Sequence, residues 1–214
     1  MSRKAADVES TTLAYGSTRS TDAVQGAEHV LVDPTAAHYG GTGLMRPTYV
    51  YTARLVGYSS SALPPRAGRI IDEMTEIRAS LARALGLGCG VTSEPNVRGS
   101  NRRGRVAELA ADLAEEWDVR HVVVITEPTY SRTGFQQLVV PLLDNRFEAD
   151  DRDVFLVDEA WLAQIGDCYA EAVLATQMVS TVYLPVHIAR FLEIVVPSTV
   201  MDRLDQSLAK HFEL

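Results

Sequence analysis

HVLVDP, residues 29–34, is the stretch that decides how this chain is interpreted. An apolar run ends in a carboxylate and a proline, and the small residues of Gly40–Gly43 (GGTG) follow shortly afterwards. A short apolar run bounded in this way is typical of a buried strand that ends at the edge of a sheet. The pattern therefore predicts a first strand that presents Asp33 at its end, followed by a tight turn.

Length, charge and cysteine content limit the possible classes of protein. The chain has 214 residues, which suits one domain with appended segments. Its formal net charge is −8, so binding of nucleic acid would need a local basic patch. Cys89 and Cys168 form no CxxC pair, which argues against a zinc site built on cysteines. We see no signal peptide, no apolar run of membrane-spanning length and no P-loop, and we expect an intracellular protein without contact to a membrane.

Residues 29–126 contain the patterns of a hairpin, a helix and a covered strand. Tyr and Val are frequent in Pro47–Tyr58, which predicts a second strand paired with the first. Apolar residues recur at helical spacing from Ile70 to Leu85 and predict a helix. The run His121–Thr126 (HVVVIT) is continuously apolar, as in a strand that is covered on both faces.

Apolar residues that recur every three or four positions predict several further helices. These segments are Val106–Trp117, Thr133–Leu143, Trp161–Thr176, Val186–Ile194 and Val200–Phe212, the last capped by Ser198. Short strands are predicted at Cys89–Ser93 and Val179–Leu184, and Val154–Val157 is interpreted as a short strand or as the entry to a helix. A hairpin followed by alternating helices and strands indicates a three-layer α/β domain with a mixed sheet.

Composition divides the chain into three parts. Residues 1–28 are polar and lack periodicity, which predicts a flexible N-terminal arm or a segment that becomes ordered against a neighbour. Residues 29–184 carry the predicted α/β core domain. Residues 185–214 are interpreted as a C-terminal helical extension.

Acidic residues follow several predicted strands and open one predicted helix. The principal candidates are Asp33, Glu94 and Asp158, and Glu127, Asp153 and Glu159 are reserves. If two or three of these carboxylates converge, they can hold Mg²⁺ or Mn²⁺, and two such ions can activate water for phosphodiester hydrolysis. The alternative is that each acid is a turn or cap residue.

The most basic window of the chain is RGSNRRGR, residues 98–105. Arg98, Arg102, Arg103 and Arg105 could contact the phosphates of a nucleic acid bidentately. Alternatively, they belong to a solvated loop or to an interface with the acidic segment 144–153 of another subunit. The sequence leaves both interpretations open.

The order of these features resembles the RuvC-type Holliday-junction resolvases of the RNase H-like superfamily. The similarity extends over about Val30–Asp167 and includes the Asp-Pro pair, the Gly-Thr-Gly turn, the second strand, Leu63–Arg66 (LPPR) at a helix start, and a strand that ends at Glu94. The resemblance implies that Asp33, Glu94 and Asp158 are metal ligands and catalytic residues. The chain departs from the family at Thr35, where a glycine is usual, and in the late helix, where a second aspartate is usual.

Three functions remain in consideration. The first is a Mg²⁺-dependent endonuclease that acts on branched DNA as a homo-oligomer, as the resemblance implies. The second is a non-enzymatic structural subunit of a viral or cellular assembly, which would place the protein in a virion or in the cell. The third is an enzyme that binds a small molecule at the Gly40–Gly43 turn.

Overall fold

The computed structural model describes residues 10–18, 29–33, 42–59, 68–71, 73–87, 102–126, 136–144, 154–156, 159–166, 169 and 172–214. These residues form two sheets and four α-helices, so the protein has an α/β fold. The predicted strand Cys89–Ser93 and the predicted helix start at Leu63–Arg66 lie outside the described residues.

A three-stranded sheet is formed by the first strands of the chain. The strands are β1 (Ser10–Ser17), β2 (His29–Val32) and β3 (Thr48–Ser59). β3 lies in the centre and both pairings are antiparallel. The predicted hairpin is confirmed, because β2 pairs with β3 from His29 opposite Tyr51 to Val32 opposite Thr48. β1 lies within the segment interpreted as a polar arm and pairs with β3 over its full length.

The larger sheet has seven strands. They are β4 (Arg105–Leu109), β5 (His121–Val124), β6 (Gln136–Asp144), β7 (Val154–Leu156), β8 (Ala172–Ala175), β9 (Ser180–Tyr183) and β10 (Ile188–Val195). Their order is β10-β4-β5-β6-β8-β7, and β9 also pairs with β6. Each pairing among the described strands is antiparallel, whereas the sequence predicted a mixed sheet.

Four α-helices accompany the sheets. They are α1 (Met74–Ala84), α2 (Ala111–Trp117), α3 (Glu159–Ile165) and α4 (Ser198–His211). α4 buries residues at helical spacing, including Val200, Leu204 and Leu208, so one face of it packs on the core. Ser198 was predicted to cap this helix, but it is the first residue of α4. The residue before it is Pro197, and no side chain caps the helix.

Both faces of the larger sheet are covered by apolar side chains. On one face Val106, Val123 and Leu142 pack with residues of α1, α3 and α4 and with Leu55 of β3. On the other face Ala107 and its neighbours pack against α2. Residues 121–124 are therefore buried without interruption, which explains their continuous apolar sequence.

Side-chain hydrogen bonds join the two sheets. The Thr181 hydroxyl of β9 accepts a hydrogen bond from the Leu55 amide at 2.7 Å and lies 3.3 Å from the Ala53 carbonyl oxygen. Next to this contact, the buried hydroxyls of Thr52 and Ser80 are 2.8 Å apart and connect β3 with α1. These contacts satisfy polar groups that would otherwise be buried without partners.

Two segments predicted as helices are strands. Thr133–Leu143 contains most of β6, and Val186–Ile194 contains most of β10. β6 is a central strand that is buried on both faces, so its apolar residues follow one another and fit a helical spacing by accident. In β10 the pairing register shifts twice, which disturbs the alternation expected of a strand.

Two further predicted helices are divided by the structure. Val106–Trp117 comprises the strand β4 and the short helix α2, with the extended residue Ala110 between them. In the segment Trp161–Thr176, α3 ends at Ile165 and the chain continues into β8. Gly166 follows α3 with a φ of 113°, a conformation that favours glycine and ends the helix.

Candidate functional site

Asp33 follows directly after the last residue of β2. Val30 and Val32 are buried, Leu31 is exposed, and the Asp33 side chain is partly buried. This alternation places one face of β2 against the core, and the pairing with β3 fixes the register of the strand. β2 therefore presents a carboxylate at its end, as the HVLVDP pattern predicts.

Asp33 is the one acid of the predicted cluster whose side chain the structure describes. Glu94 and Asp158 lie outside the described residues, as do the reserves Glu127 and Asp153. In the part of the chain that the structure describes, no group of three or more His, Cys, Asp or Glu side chains is arranged to hold a metal ion. Convergence of the three acids and binding of Mg²⁺ or Mn²⁺ therefore stay predictions. Gly40 and Gly41 of the predicted turn are likewise outside the described ranges.

Arg103 of the basic window lies inside the protein. Its guanidinium donates hydrogen bonds to the carbonyl oxygens of Leu85 and Ile125 and pairs with the carboxylate of Asp205. The Arg103 side chain is fully buried and that of Asp205 is 15% exposed. Arg103 thus connects the end of α1, β5 and α4, a structural role that no pattern in the sequence indicates.

Gly104 follows Arg103 in a turn that backbone hydrogen bonds hold in place. Its φ is 79°, in the left-handed region that favours glycine, and its amide donates to the Val124 carbonyl oxygen. Its own carbonyl oxygen accepts from the Val196 amide, so the turn is fixed to β5 and to the end of β10. The chain reverses at this turn and enters β4 at Arg105.

Arg102 and Arg105 are partly buried at the surface, and Arg98 lies outside the described residues. The guanidinium carbon of Arg102 is 5.2 Å from the centre of the Phe191 ring, a cation–π contact with a side chain of β10. Burial, followed by the charge of Arg105, lowers the pKa of Arg102. An arginine nevertheless keeps its charge, so both side chains offer positive charge at this surface.

A second polar cluster lies in one row across β10, β4 and β5. Arg190 is opposite Glu108, and Glu108 is opposite His121. Glu108 Oε2 accepts a hydrogen bond from Arg190 Nε at 2.6 Å. Glu108 Oε1 accepts two from Arg120, from Nε at 3.1 Å and from Nη2 at 3.0 Å. One carboxylate thus holds two guanidinium groups, and we call Arg120, Glu108 and Arg190 the arginine clamp.

Exposure and charge distinguish the parts of the arginine clamp. The side chains of Arg120 and Arg190 are 60% and 65% exposed, whereas that of Glu108 is 16% exposed. The hydrogen bond from Arg190 is the main cause that lowers the pKa of Glu108. Glu108 is therefore ionised at neutral pH and the cluster carries a net charge of +1, from two arginines and one glutamate.

A buried histidine lies beside the arginine clamp. His121 Nδ1 is 2.9 Å from the Tyr169 hydroxyl, and the His121 side chain is almost completely buried. Burial is the main cause that lowers the pKa of His121, and the charge of Arg120 lowers it further. His121 is therefore neutral at pH 7 and adds no charge to the cluster.

No local motif in the sequence identifies the arginine clamp. Arg120 is 12 residues from Glu108, and Arg190 is 82 residues from it, so the three residues share no common segment. The only local signal is the charged residue at position 108, which lies between the buried residues Ala107 and Leu109 of β4. Such a residue indicates a partner on a neighbouring strand, but it does not say which strand.

Comparison with known proteins adds no family to this description. No protein-family model matches the chain, and no curated protein shows significant similarity to it. None of the helices in the described ranges is both long enough and apolar enough to cross a bilayer. The function must therefore be argued from the residues themselves.

Proposed function

We propose that this protein is a metal-dependent endonuclease with an RNase H-like core that acts on structured, branched DNA. The observation that carries the proposal is the position of Asp33. β2 ends at Val32 in the hairpin with β3, so a partly buried carboxylate stands at the end of a strand. A carboxylate in such a position is suited to bind a divalent cation when other acids converge on it.

In this proposal Asp33, Glu94 and Asp158 are the metal ligands. Bound Mg²⁺ or Mn²⁺ would supply an activated water molecule and stabilise the leaving oxygen of the phosphodiester. Arg102 and Arg105 would contact the DNA backbone, because both are charged and lie at the surface. Arg103 would keep these two in place through its buried hydrogen bonds rather than contact DNA.

Calorimetric titration with Mg²⁺ and Mn²⁺ tests the acidic site. We expect wild-type protein to bind the metal and Asp33→Asn to lose most of this binding, because the substitution removes an anionic oxygen ligand. Asp202→Asn, at an exposed position of α4, is the matched control and should bind like wild type. Circular dichroism of each variant checks that the fold is retained.

Cleavage of a four-way DNA junction, compared with a linear duplex of the same sequence, tests the activity. The proposal requires metal-dependent cleavage of the junction that is abolished in Asp33→Asn and retained in Asp202→Asn. Wild-type protein that binds no metal at millimolar concentration, or an Asp33→Asn variant with unchanged cleavage, would contradict it.

A second candidate function is that of an assembly subunit. Tyr15 and Leu31 are 52% and 45% exposed, and they lie on β1 and β2, which are the edge strands of the smaller sheet as far as the described residues show it. Edge strands with exposed apolar side chains are suited to pair with another chain. A homo-oligomer is compatible with either function.

Light scattering coupled to size-exclusion chromatography tests the second candidate. An assembly that uses the smaller sheet should lose mass in Tyr15→Lys and in Leu31→Lys, because each places a charge at the interface. Val186→Lys, at an apolar position that is 66% exposed in the turn before β10, should leave the mass unchanged. A monomeric wild-type protein at high concentration would exclude this role for the free chain.

A further inference from the structure

We propose that the arginine clamp is a phosphate-binding site. Arg120 and Arg190 would bind the oxygen atoms of one phosphate group, either in a nucleic-acid backbone or in a free phosphate. The choice of DNA as the nucleic acid rests on the proposed function, whereas binding of the phosphate group does not. The site contains none of the acids proposed to bind metal.

Strand pairing fixes the positions of the clamp residues. In antiparallel strands, residues opposite each other point to the same face, so Arg190, Glu108 and His121 share one face of three adjacent strands. Neighbouring strands are about 4.8 Å apart. Arg120 precedes β5 and reaches Glu108 from the other side, so the two guanidinium groups are held close together around one carboxylate.

Arg190 and Glu108 are joined by one nitrogen of the guanidinium group. Arg190 contacts Glu108 through Nε, so its two Nη groups are not used by this carboxylate. Both arginine side chains are largely exposed, whereas the carboxylate between them is mostly buried. A ligand that approaches from solvent therefore meets the guanidinium groups before it meets Glu108.

Charge favours an anion at this position. Two guanidinium groups lie around one carboxylate, so the three clamp side chains together carry one positive charge. His121 is neutral and adds no charge of its own. In a chain whose net charge is −8, this positive sum favours an anionic ligand at the clamp.

The geometry of the donors favours phosphate. Guanidinium groups bind phosphate through paired N–H donors, and a tetrahedral phosphate has enough oxygen atoms to accept from two guanidinium groups at once. Prior fixation by Glu108 reduces the side-chain entropy that is lost when the ligand binds.

Binding of a fluorescein-labelled DNA junction in EDTA, measured by anisotropy over a series of salt concentrations, tests the proposal without any metal. We expect Arg120→Gln and Arg190→Gln each to weaken binding about tenfold, as expected when a charged hydrogen bond is removed. The slope of log K against log salt should become shallower by about 1 for each phosphate that the variant no longer neutralises. Arg190→Lys, which keeps the charge but not the paired donors, should lie between Arg190→Gln and wild type.

Arg78→Gln is the matched control. Arg78 is also an exposed arginine paired with one glutamate, Glu213 at 2.6 Å, but it lies on α1 and outside the clamp. It should bind DNA like wild type. Titration with inorganic phosphate, with acetate as the comparison, distinguishes the source of the ligand. If the protein binds phosphate but not DNA, and if Arg190→Gln loses the binding of phosphate, the site is assigned to a free phosphate.

The proposal is overturned if Arg120→Gln and Arg190→Gln bind both DNA and phosphate as wild type does, or if wild type binds neither. This failure differs from failure of the proposed nuclease. Asp33→Asn should keep its DNA binding in EDTA, because its defect concerns the metal, whereas Arg190→Gln should keep its metal binding.

Discussion

Among the described residues, the cluster of Arg103 and Asp205 and the arginine clamp both hold arginine with a carboxylate, and they differ in burial. In the first, Arg103 and Asp205 are enclosed between α1, β5 and α4, and the guanidinium also satisfies two backbone carbonyl groups. In the second, Glu108 holds Arg120 and Arg190 at the surface. The same pair of residue types therefore serves different purposes, which burial determines.

The energetic consequence of this difference is large. A buried charge must be compensated by its partners, because water cannot reach it. An exposed ion pair contributes little to stability, because water and salt screen it. Arg103 is therefore expected to be necessary for the fold, while the arginine clamp can change with little effect on stability.

The largest effect is expected from Arg103→Met. The substitution leaves the Asp205 carboxylate without its buried partner and removes the donors to the Leu85 and Ile125 carbonyl oxygens. We expect the free energy of unfolding to fall by about 3–5 kcal/mol. Unfolding in urea, followed by circular dichroism, measures this change.

Arg78→Met is the control for that measurement. The Arg78–Glu213 pair is exposed, with side chains that are 43% and 78% accessible, so its removal should cost less than about 1 kcal/mol. Equal losses of stability in the two variants would show that burial does not separate the two kinds of cluster.

Neither cluster could be predicted from the sequence, although much of the local structure could. The β2–β3 hairpin and β5 follow from residues within a few positions of one another, and these predictions are confirmed. The predicted helix is confirmed from Met74 to Ala84, whereas Ile70 and Ile71 lie outside it. Arg103 bonds residues that are 18, 22 and 102 positions away. Its burial depends on the packing of three separate elements, which no local pattern encodes.

The errors in predicted structure have the same origin. The sequence of β6 is apolar throughout because both of its faces are covered, and helical spacing then carries no information. Once β6 and β10 are assigned as helices, the antiparallel neighbours of β4 and β5 disappear, and with them the row that contains Glu108. The proposed metal site stays a prediction, because only Asp33 among its three acids lies in the described residues.

A pH dependence of intermediate size is expected beside the arginine clamp. The pKa of His121 is lowered in the folded protein, so the unfolded chain binds a proton more readily. Stability from this group is present above the ordinary histidine pKa of about 6.5 and is lost as pH falls toward the folded pKa, with a slope of at most about 1.4 kcal/mol per pH unit. Glu108, whose pKa is also lowered, acts in the same direction at lower pH, below about 4.5.

Urea unfolding at pH 7.5 and pH 5.5 measures this dependence. In His121→Gln the loss of stability between the two pH values should be smaller than in wild type. Tyr169→Phe should keep the wild-type dependence, because burial and Arg120, not the hydrogen bond to Tyr169, lower the pKa. Equal pH dependence in wild type and His121→Gln would exclude His121 as its source.

The smallest effect on stability is expected at the arginine clamp itself. Arg190→Gln should cost about 1 kcal/mol or less in the absence of phosphate, because the Arg190 side chain is 65% exposed. With phosphate at ten times its dissociation constant, the folded wild type should gain about 1.4 kcal/mol, and Arg190→Gln should gain much less. Thermal unfolding with and without phosphate measures both quantities.

An Arg103→Met variant that still folds should keep the full gain from phosphate, since its buried cluster takes no part in binding. If phosphate instead stabilises Arg190→Gln as much as wild type, the arginine clamp is a surface ion pair that does not bind phosphate. Burial alone would then not distinguish an arginine with a structural role from an arginine that binds a ligand.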